Sequence, residues 1–520
     1  MMNLSTLIRE ILLPIILSFS VNAFAQSSFA QYDDPHRPQF HFSPPSMWMN
    51  DPNGMVYHNG EYHLFYQHYP KEPFWGPMHW GHAVSRDLIH WENLPIALAP
   101  DSLGYIFSGS AVFDKHNSTG FGTESNPPLV AMFTYHDPTG EKAGRTDYQS
   151  QGIAYSLDKG RTWAKYDKNP GIPNPEKLKD FRDPKVFWHE ETNRWLVVLA
   201  AGDRVRFYSS RDLKNWQMES EFGKGDGSHG GVWECPDVFP LKVKGTDRER
   251  WVLLLSINPG GVHGGSATQY FVGDFDGKTF RNENPPETVL WFDYGRDNYA
   301  GVTWSDAPND RRIFIGWMSN WDYAEKVPTK NWRGAMALPR ELSLIKTEKG
   351  LRIAQNPVLE AYKLRRQKLL ARRNFTVGSE FKLNAQSPLN EIVFEVDLSK
   401  TTARDFGISL SNKDGENYRI GFNAASNYFY SDRTKAGSNK FADNFAPKKH
   451  MAPRIGDHRI LKMRLLFDAA SVELFADDGK TALTDIFFPT QDFNDFEIYA
   501  QDGTIRLSQL KMWKLKSIWK

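Results

Sequence analysis

A short motif that joins a polar turn to an aromatic residue recurs along the first part of the chain. Its copies, each carrying an Asp in the turn, are Ser85–Trp91, Ser156–Trp163, Ser210–Trp216 and the looser Asp274–Phe280. Their aromatic ends are 72, 53 and 64 residues apart. Propeller blades mark a hairpin in this way, and a repeat of this length gives about five blades between residues 41 and 345. The repeat therefore predicts a five-bladed β-propeller.

The sequence between the motif copies favours strands. Residues Glu61–Gln67 alternate between apolar and polar side chains, and Asn59-Gly60 before them is a hairpin turn signal. Residues Trp195–Ala200 form a continuous apolar run of the length of one buried strand. We therefore predict an all-β domain over residues 41–345.

A second domain is predicted after the propeller. Residues 346–369 are expected to be a linker with a short helix at Gln355–Arg366, because a proline near its start is followed by apolar residues at helical spacing. From residue 370 to 520 alternating strands return, separated by turns such as Asp477–Gly479. This pattern is typical of a β-sandwich. The expected strands are Ile392–Leu398, Phe406–Leu410, Tyr418–Phe422, Leu461–Phe467 and Val472–Phe475.

The first 25 residues have the composition of a cleavable secretory signal. Arg9 precedes the apolar stretch Ile11–Val21, which is too short to span a bilayer, and Ala23–Ala25 is a small-x-small cleavage site. We predict cleavage after Ala25 and a secreted or periplasmic protein, the alternative being an N-terminal membrane anchor. Residues 26–40 are polar and are expected to be a tether.

Composition limits the partners and cofactors. The formal net charge is +1, with 63 basic and 62 acidic residues, so no electrostatic footprint for nucleic acid or an anionic membrane is present. The single cysteine, Cys235, cannot form an internal disulfide. His79 and His82 lack nearby carboxylates at ligand spacing. We expect neutral partners, no metal and no cofactor.

Three acidic residues share one local context. Asp51 lies in Trp48–Gly54, Asp183 precedes Pro184, and Glu234 comes two residues before Pro236. They are 132 and 51 residues apart, so no single helix or hairpin can group them. A propeller sends the first strand of every blade toward one axial funnel, and it can therefore bring these acids together.

These three motifs, in this order, resemble those of glycoside hydrolase family 32, the retaining β-fructosidases that include invertases, levanases and inulinases. The resemblance extends over nearly the whole chain after the signal. It implies a five-bladed propeller followed by a β-sandwich. It also implies that Asp51 is the nucleophile, Glu234 the general acid/base and Asp183 a stabiliser of the transition state.

The chemistry of fructosyl transfer suits such a set of acids. The reaction passes through an oxocarbenium-like state, so one carboxylate attacks while an acid protonates the leaving oxygen. Glu234 must then be protonated at working pH, and its apolar neighbours Val232, Trp233 and Pro236 are expected to desolvate it. Asp51 is expected to stay ionised.

The resemblance also implies a set of substrate-binding residues and an exo-acting enzyme on fructan. Matched to family motifs, these residues are Asn50, Gln67, Trp75, Phe107, Ser108, Arg182 and Trp317. The region Trp75–His82 looks more like exo-acting levanases and inulinases than like invertases. The preference between β-2,6 and β-2,1 linkages stays open, because fold identity does not determine it.

Several other functions are alternatives to this one. An endo-acting levanase or inulinase and an invertase are alternatives within the same family, and a non-catalytic fructan-binding protein is one on the same fold. A sialidase is suggested by Ser156–Trp163, which resembles that family's Asp-box, but sialidases need an arginine cluster. Inverting hydrolases of arabinan or xylan also use three acids, but their motifs lack the sequence Trp48–Gly54.

Overall fold

The computed structural model describes residues 32–456 and 458–519. The predicted signal peptide and its cleavage site lie outside these residues. Within them the chain forms five sheets of four or five strands, followed by two six-stranded sheets. The predicted all-β architecture of a propeller and a sandwich is confirmed.

Each of the first four blades is an antiparallel meander built from consecutive strands. Blade 1 contains Met47–His58, Glu61–Tyr69, His79–Ser85 and Glu92–Leu98. Blade 2 contains Tyr105–Phe113, Leu129–His136, Gln149–Ser156 and Ala164–Lys165. Blade 3 contains Phe181–His189, Arg194–Ala201, Val205–Ser210 and Gln217–Phe222. Blade 4 contains Val232–Lys242, Glu249–Asn258, Ala267–Phe275, Phe280–Asn282 and the additional Leu290–Trp291.

Blade 5 closes the ring. It contains Tyr299–Thr303, Ile313–Trp317, Arg340–Thr347 and Gly350–Pro357. Between its second and third strands, the short strand Trp332–Arg333 leaves the blade and pairs in parallel with Met47–Trp48 of blade 1. Backbone pairing between the last and the first blade therefore fastens the propeller.

The recurring motif lies at the same place in four blades. Each copy joins the third strand to the fourth, as the repeat predicted. The Asp side chain closes the turn by accepting a backbone N–H three or four residues later, at 2.9 Å for Asp87, 2.9 Å for Asp158, 2.8 Å for Asp212 and 2.8 Å for Asp276. The aromatic residue that follows anchors the turn.

The second domain consists of two six-stranded antiparallel sheets that enclose a hydrophobic core. In order across the first sheet, its strands are Arg365–Val377, Ile505–Leu515, Asn390–Asp397, Ile460–Asp468, Ser471–Ala476 and Thr481–Ile486. In order across the second, they are Glu380–Leu383, Asp495–Gln501, Asp405–Ser411, Asn417–Asn423, Tyr428–Lys435 and His450–Pro453. The five expected sandwich strands are each present to within about two residues at either end.

Helical structure in the described residues is limited to four short segments. One is the α-helix Pro138–Lys142, and the others are the 3-10 helices Pro308–Asp310, Leu359–Leu364 and Leu398–Lys400. None of these helices is long and apolar enough to cross a membrane.

The connecting helix predicted at Gln355–Arg366 is wrong in type and extent. Residues up to Pro357 pair with Arg340–Thr347, so a hairpin of blade 5 runs across the boundary expected at residue 345. The helical part is Leu359–Leu364, a 3-10 helix. Its buried apolar residues recur every third position, at Val358, Ala361 and Leu364, which suits three residues per turn.

The segment expected to be a tether is packed into the fold from Tyr32 onward. Arg37 is only 2% exposed and donates to the Pro44 carbonyl at 2.7 Å. The Asp468 carboxylate of the sandwich accepts the backbone N–H groups of Gln39 and Phe40 at 2.8 and 3.1 Å. The segment is held by backbone hydrogen bonds to a distant carboxylate, which the local sequence does not reveal.

Buried ion pairs join the propeller to both sheets of the sandwich. Arg340 of blade 5 binds Glu473 and, at 2.8 Å, Asp293. Arg433 from the second sheet reaches Asp297 of the loop before blade 5 at 2.7 Å. All of these side chains are buried, so the two domains share a polar and fully enclosed interface.

Candidate active site

The first strands of the five blades contact one another in a ring and line the propeller axis. Each carries a break in its pairing register where two residues oppose one, or one residue is left unpaired. The breaks lie at Asn50–Asp51, Ser108, Asp183–Pro184, Cys235–Pro236 and Ala300–Gly301. Such bulges re-aim side chains, so every blade presents an irregular backbone segment to the same funnel.

Proline explains the bulges that hold the acids. Pro52, Pro184 and Pro236 have no N–H to give to the sheet ladder, so regular pairing cannot continue through them. The residue before two of these prolines has left-handed backbone geometry, with φ of 61° at Asp183 and 47° at Cys235. The acid-proline motifs are therefore the local cause of the side-chain directions at the site.

Asp51 is held by hydrogen bonds on both oxygens. Its Oδ1 accepts from Asn50 Nδ2 at 3.0 Å, and its Oδ2 accepts from Ser108 Oγ at 3.0 Å. Asn50 is oriented in turn by Trp48, whose indole N–H donates to the Asn50 Oδ1 at 2.7 Å. The carboxylate is thus preorganised in one position.

Asp183 is linked to the strand that carries the third acid. Its Oδ2 accepts the backbone N–H of Cys235 at 3.0 Å, and its own N–H donates to Thr134 Oγ1 at 2.9 Å. The Cys235 sulfur lies 3.7 Å from Oδ2 of both Asp183 and Asp51. Cys235 is buried, as expected from the sequence, and it separates the two aspartates.

Glu234 lies between a cation and a phenol. Arg182 Nη2 donates to its Oε1 at 2.9 Å, and the Tyr299 hydroxyl donates to its Oε2. Trp233, expected to be an apolar neighbour, points to the other face of the strand and donates its indole N–H to the Ser228 carbonyl. Alternation along a strand separates adjacent side chains in this way.

The electrostatic environment is dominated by carboxylates. Burial, together with the charge of Glu234, raises the pKa of Asp51 to about 6. Burial raises the pKa of Asp183 to about 7, and the nearby Arg182 only partly offsets it. Asp51 therefore carries its charge above about pH 6. Such displaced pKa values in a cleft are typical of functional sites.

A cleft of about 740 Å³ opens above these groups. Six of the seven predicted binding residues line it, together with the three acids. The six are Asn50, Gln67, Trp75, Phe107, Ser108 and Arg182. Trp75 is 39% exposed at the mouth, and the buried Gln67 has an amide nitrogen without a partner in the described structure. Gln67 is therefore free to donate to a ligand.

Trp317, predicted to line the site, does not. It is fully buried and packs against Trp48 and Trp321, with ring centroids 6.1 and 5.0 Å apart. Trp321 lines the cleft in its place. The motif match gave the correct neighbourhood, but Trp317 ends the strand Ile313–Trp317 with its ring in the core, and Trp321, in the loop after the strand, faces the cleft.

Six lining residues were not identified from the sequence: His136, Glu141, Tyr148, Gln149, Asp180 and Trp321. Tyr299, which binds Glu234, begins the first strand of blade 5. Most of the others come from blade 2, which carries no acid-proline motif. The described residues contain no group of three or more His, Cys, Asp or Glu side chains arranged to hold a metal ion.

Comparison with known protein families gives two adjoining matches. Residues 41–357 match the N-terminal domain of glycosyl hydrolases family 32, and residues 360–514 match the C-terminal domain of the same family. Together these cover most of the described chain.

Two individual relatives and one solved structure are similar to this chain over most of its length. A levanase of Bacillus subtilis (strain 168) is 48% identical over 510 residues, covering 97% of this chain and 74% of the relative. An extracellular exo-inulinase of Aspergillus awamori is 38% identical, covering 97% and 99%. A crystal structure of exo-inulinase from Aspergillus awamori superposes with a TM-score of 0.87 at 36% identity, covering 94% of this chain and 100% of that one.

Proposed function

This chain belongs to glycoside hydrolase family 32 and is a β-fructosidase, and we propose that it removes terminal β-D-fructofuranosyl residues from levan, inulin or sucrose by exo action. The observation that carries the proposal is the convergence of Asp51, Asp183 and Glu234 on one cleft, where the guanidinium of Arg182 contacts Asp183 and Glu234.

The proposed mechanism is a double displacement with retention. The Asp51 carboxylate attacks C2 of the fructosyl unit while Glu234 gives its proton to the departing oxygen. Glu234, now ionised, then takes a proton from water as the water attacks C2 and releases Asp51. The hydrogen bonds from Asn50 and Ser108 support the first role, because they hold the Asp51 carboxylate in position before substrate arrives.

Asp183 and the binding residues have supporting roles in this scheme. Asp183 is proposed to accept fructosyl hydroxyls and to stabilise the oxocarbenium-like state through its negative charge. Asn50, Gln67, Phe107 and Ser108 are proposed to contact the same sugar ring, and Trp75 to stack on a ring at the mouth. Arg182 is proposed to orient Glu234 and Asp183, which it contacts at 2.9 and 3.8 Å.

A bridge between two loops at the mouth of the cleft supports exo action. Trp75, on the loop between strands 2 and 3 of blade 1, donates its N–H to Glu325 of a blade 5 loop at 3.1 Å. Arg333 lies over the ring of Phe74 at 4.5 Å and strengthens this bridge. A cleft with one side of its mouth bridged in this way suits a chain end more than a chain interior.

We further propose that the protein is exported and cleaved after Ala25. The apolar stretch Ile11–Val21 supports this, as does the similarity to the extracellular exo-inulinase of Aspergillus awamori. Mass spectrometry of the protein recovered outside the cytoplasm tests it, with Gln26 expected as the first residue.

A time course on levan, inulin and sucrose, with products separated by chain length, tests the activity. Free fructose from the first time point, without intermediate oligosaccharides, is expected. Early oligosaccharides would make the enzyme endo-acting, and no release from any of the three would remove the proposal. Adding methanol as acceptor tests retention: the methyl fructofuranoside formed is expected to be the β anomer, and an α product would mean inversion.

A further inference from the structure

A chain of hydrogen bonds runs from the rim of the cleft to Glu234. Glu141 Oε2 lies 3.1 Å from His136 Nε2, and His136 Nδ1 lies 3.3 Å from Gln149 Nε2. Gln149 Oε1 accepts from Arg182 Nη1 at 3.4 Å, and Arg182 Nη2 donates to Glu234 Oε1 at 2.9 Å. Four contacts therefore connect a half-exposed carboxylate to the acid/base.

The direction of each hydrogen bond determines the next. The Gln149 amide donates to His136 Nδ1, so the imidazole carries its hydrogen on Nε2 and donates it to Glu141. With its NH₂ group used in this way, Gln149 presents its carbonyl oxygen to Arg182. The reverse amide orientation would place two donors against each other. The chain is thus self-consistent in only one arrangement.

Blade 2 provides a rigid base for this chain. His136 ends the second strand and Gln149 begins the third, and the two residues are paired in register. The His136 ring stacks on Phe107, with centroids 4.3 Å apart and planes 7° from parallel. Glu141 lies on the helix Pro138–Lys142, which Asp137 caps by accepting the Thr139 N–H.

We propose that Glu141, His136 and Gln149 are positioning residues that hold the Arg182 guanidinium against Glu234 and so orient the proton donor. This inference rests on the function proposed above. Apart from Glu234, the hydrogen-bond partners of Arg182 are Gln149 and Asp180, the latter at 2.7 Å on the same Nη1 nitrogen. Without Gln149, Arg182 keeps its ion pairs with Asp180 and Asp183 but loses its hydrogen bond to blade 2, so the guanidinium can shift relative to Glu234.

Two substrates distinguish a misplaced proton donor from a general loss of active-site structure. Cleavage of sucrose requires protonation of the leaving oxygen, whereas p-nitrophenoxide departs from p-nitrophenyl β-D-fructofuranoside without it. The parameter kcat/KM reports the steps up to formation of the fructosyl-enzyme. A positioning defect therefore lowers kcat/KM on sucrose much more than on the nitrophenyl substrate.

The expected losses in kcat/KM become smaller along the hydrogen-bond chain with distance from Glu234. Gln149→Leu is expected to lower kcat/KM on sucrose about 30-fold, and on the nitrophenyl substrate less than about 3-fold. His136→Phe keeps the ring on Phe107 but removes both nitrogens, and about a 10-fold loss on sucrose is expected. The double variant is expected to match Gln149→Leu within about 2-fold, because both changes break one chain.

Glu141 supplies a pair of variants that cannot fail through misfolding, because its side chain is 52% exposed. Glu141→Ala is expected to lose about 3-fold on sucrose, whereas Glu141→Gln keeps an oxygen for His136 and is expected to stay near the parent. His116→Phe is the matched control, because His116 lines a separate cavity that shares no residue with the cleft.

Equal losses on both substrates would overturn the proposal, as would a Glu141→Gln variant as impaired as Glu141→Ala. Additive losses in the double variant would also overturn it. A parent enzyme inactive on both fructosides would instead remove the proposed function itself, so the two failures are distinguishable.

Discussion

Two groups of buried carboxylates in this protein have opposite electrostatic environments. In the funnel, Asp51, Asp183 and Glu234 line one cleft with the guanidinium of Arg182, which contacts Asp183 and Glu234. At the interface between propeller and sandwich, Glu473 and Asp485 are each bound by basic side chains. Glu473 binds Arg340 and His41, and Asp485 binds His450 and lies near Arg433.

The pKa values reflect this difference. Burial raises the pKa of Asp51 to about 6 and of Asp183 to about 7. Burial would also raise the pKa of Glu473, but Arg340 and His41 bring it down to about 2. Asp297 is an interface exception, since burial keeps its pKa raised despite Arg433. The charges of the interface carboxylates are balanced by nearby basic side chains, which stabilises the fold. The funnel carboxylates outnumber the basic side chains beside them and stay chemically reactive.

The largest expected effect is the loss of chemistry in the funnel. Asp51→Asn and Glu234→Gln are each expected to lower kcat on sucrose by about four orders of magnitude, because each removes a group that makes or breaks a bond. Asp183→Asn is expected to be severely impaired as well. Circular dichroism and thermal melting should show a folded protein in each case. Near-normal activity in Asp51→Asn would refute its assignment as nucleophile.

Breaking an interface pair is expected to act on stability. Arg340→Met leaves the carboxylate of Asp293 without its cation and that of Glu473 with only His41, and breaking such a buried pair costs about 3–5 kcal/mol of unfolding free energy. Urea denaturation measures this. The control is Arg204→Met, whose partly exposed partners Asp203 and Glu221 predict a change below about 1 kcal/mol. Equal losses would remove the contrast between the two regions.

The pH dependence of activity sharpens the contrast. Asp51 must be ionised to attack and Asp183 to stabilise the transition state, and their pKa values are about 6 and 7. The value of kcat/KM on sucrose is therefore expected to begin to fall below about pH 7 and to fall more steeply below about pH 6. The free energy of unfolding is expected to depend on pH in a different range. Glu473 has a folded pKa of about 2, below its ordinary 4.5, so its contribution is complete above about pH 4.5 and is lost only as the pH falls toward 2.

Activity is therefore expected to decline between about pH 7 and 5 while the protein stays folded. Parallel measurement of sucrose hydrolysis and of the melting temperature across this range tests the separation. Coincident losses would mean that unfolding, and not protonation of Asp51 and Asp183, causes the loss of activity at low pH.

The smallest expected effect is a gain in stability at the site that loses function. The folded pKa of Asp51 lies above its ordinary 3.8, so ionisation of Asp51 opposes folding as the pH rises through about 6. At pH 8, Asp51→Asn is expected to stabilise the protein by about 1 kcal/mol, which appears as a higher melting temperature. Glu473→Gln should lower the melting temperature under the same conditions. A destabilised Asp51→Asn would contradict the electrostatic account of the funnel.

Local signals in the sequence were enough for much of this structure. The turn residues of the motif copies predicted the hairpins, and their spacing predicted five blades. Alternation predicted the sandwich strands, and prolines beside Asp51, Asp183 and Glu234 marked the positions where strands bulge toward the axis. Six of the seven binding residues follow from motifs as well. These features depend on backbone geometry within a few residues, which the side chains themselves dictate.

Other features depended on contacts between distant segments. The docking of residues 32–40, the blade 5 hairpin across residue 345, and the burial of Trp317 behind Trp321 have no local signature. Neither do the hydrogen-bond chain from Glu141 to Glu234 and the pairing of Arg340 with Glu473, 133 residues apart. The sequence by itself determined the strands, the turns and the three acids. Only the tertiary structure decided which acids are neutralised, because charge compensation depends on which strand ends and domains meet in space.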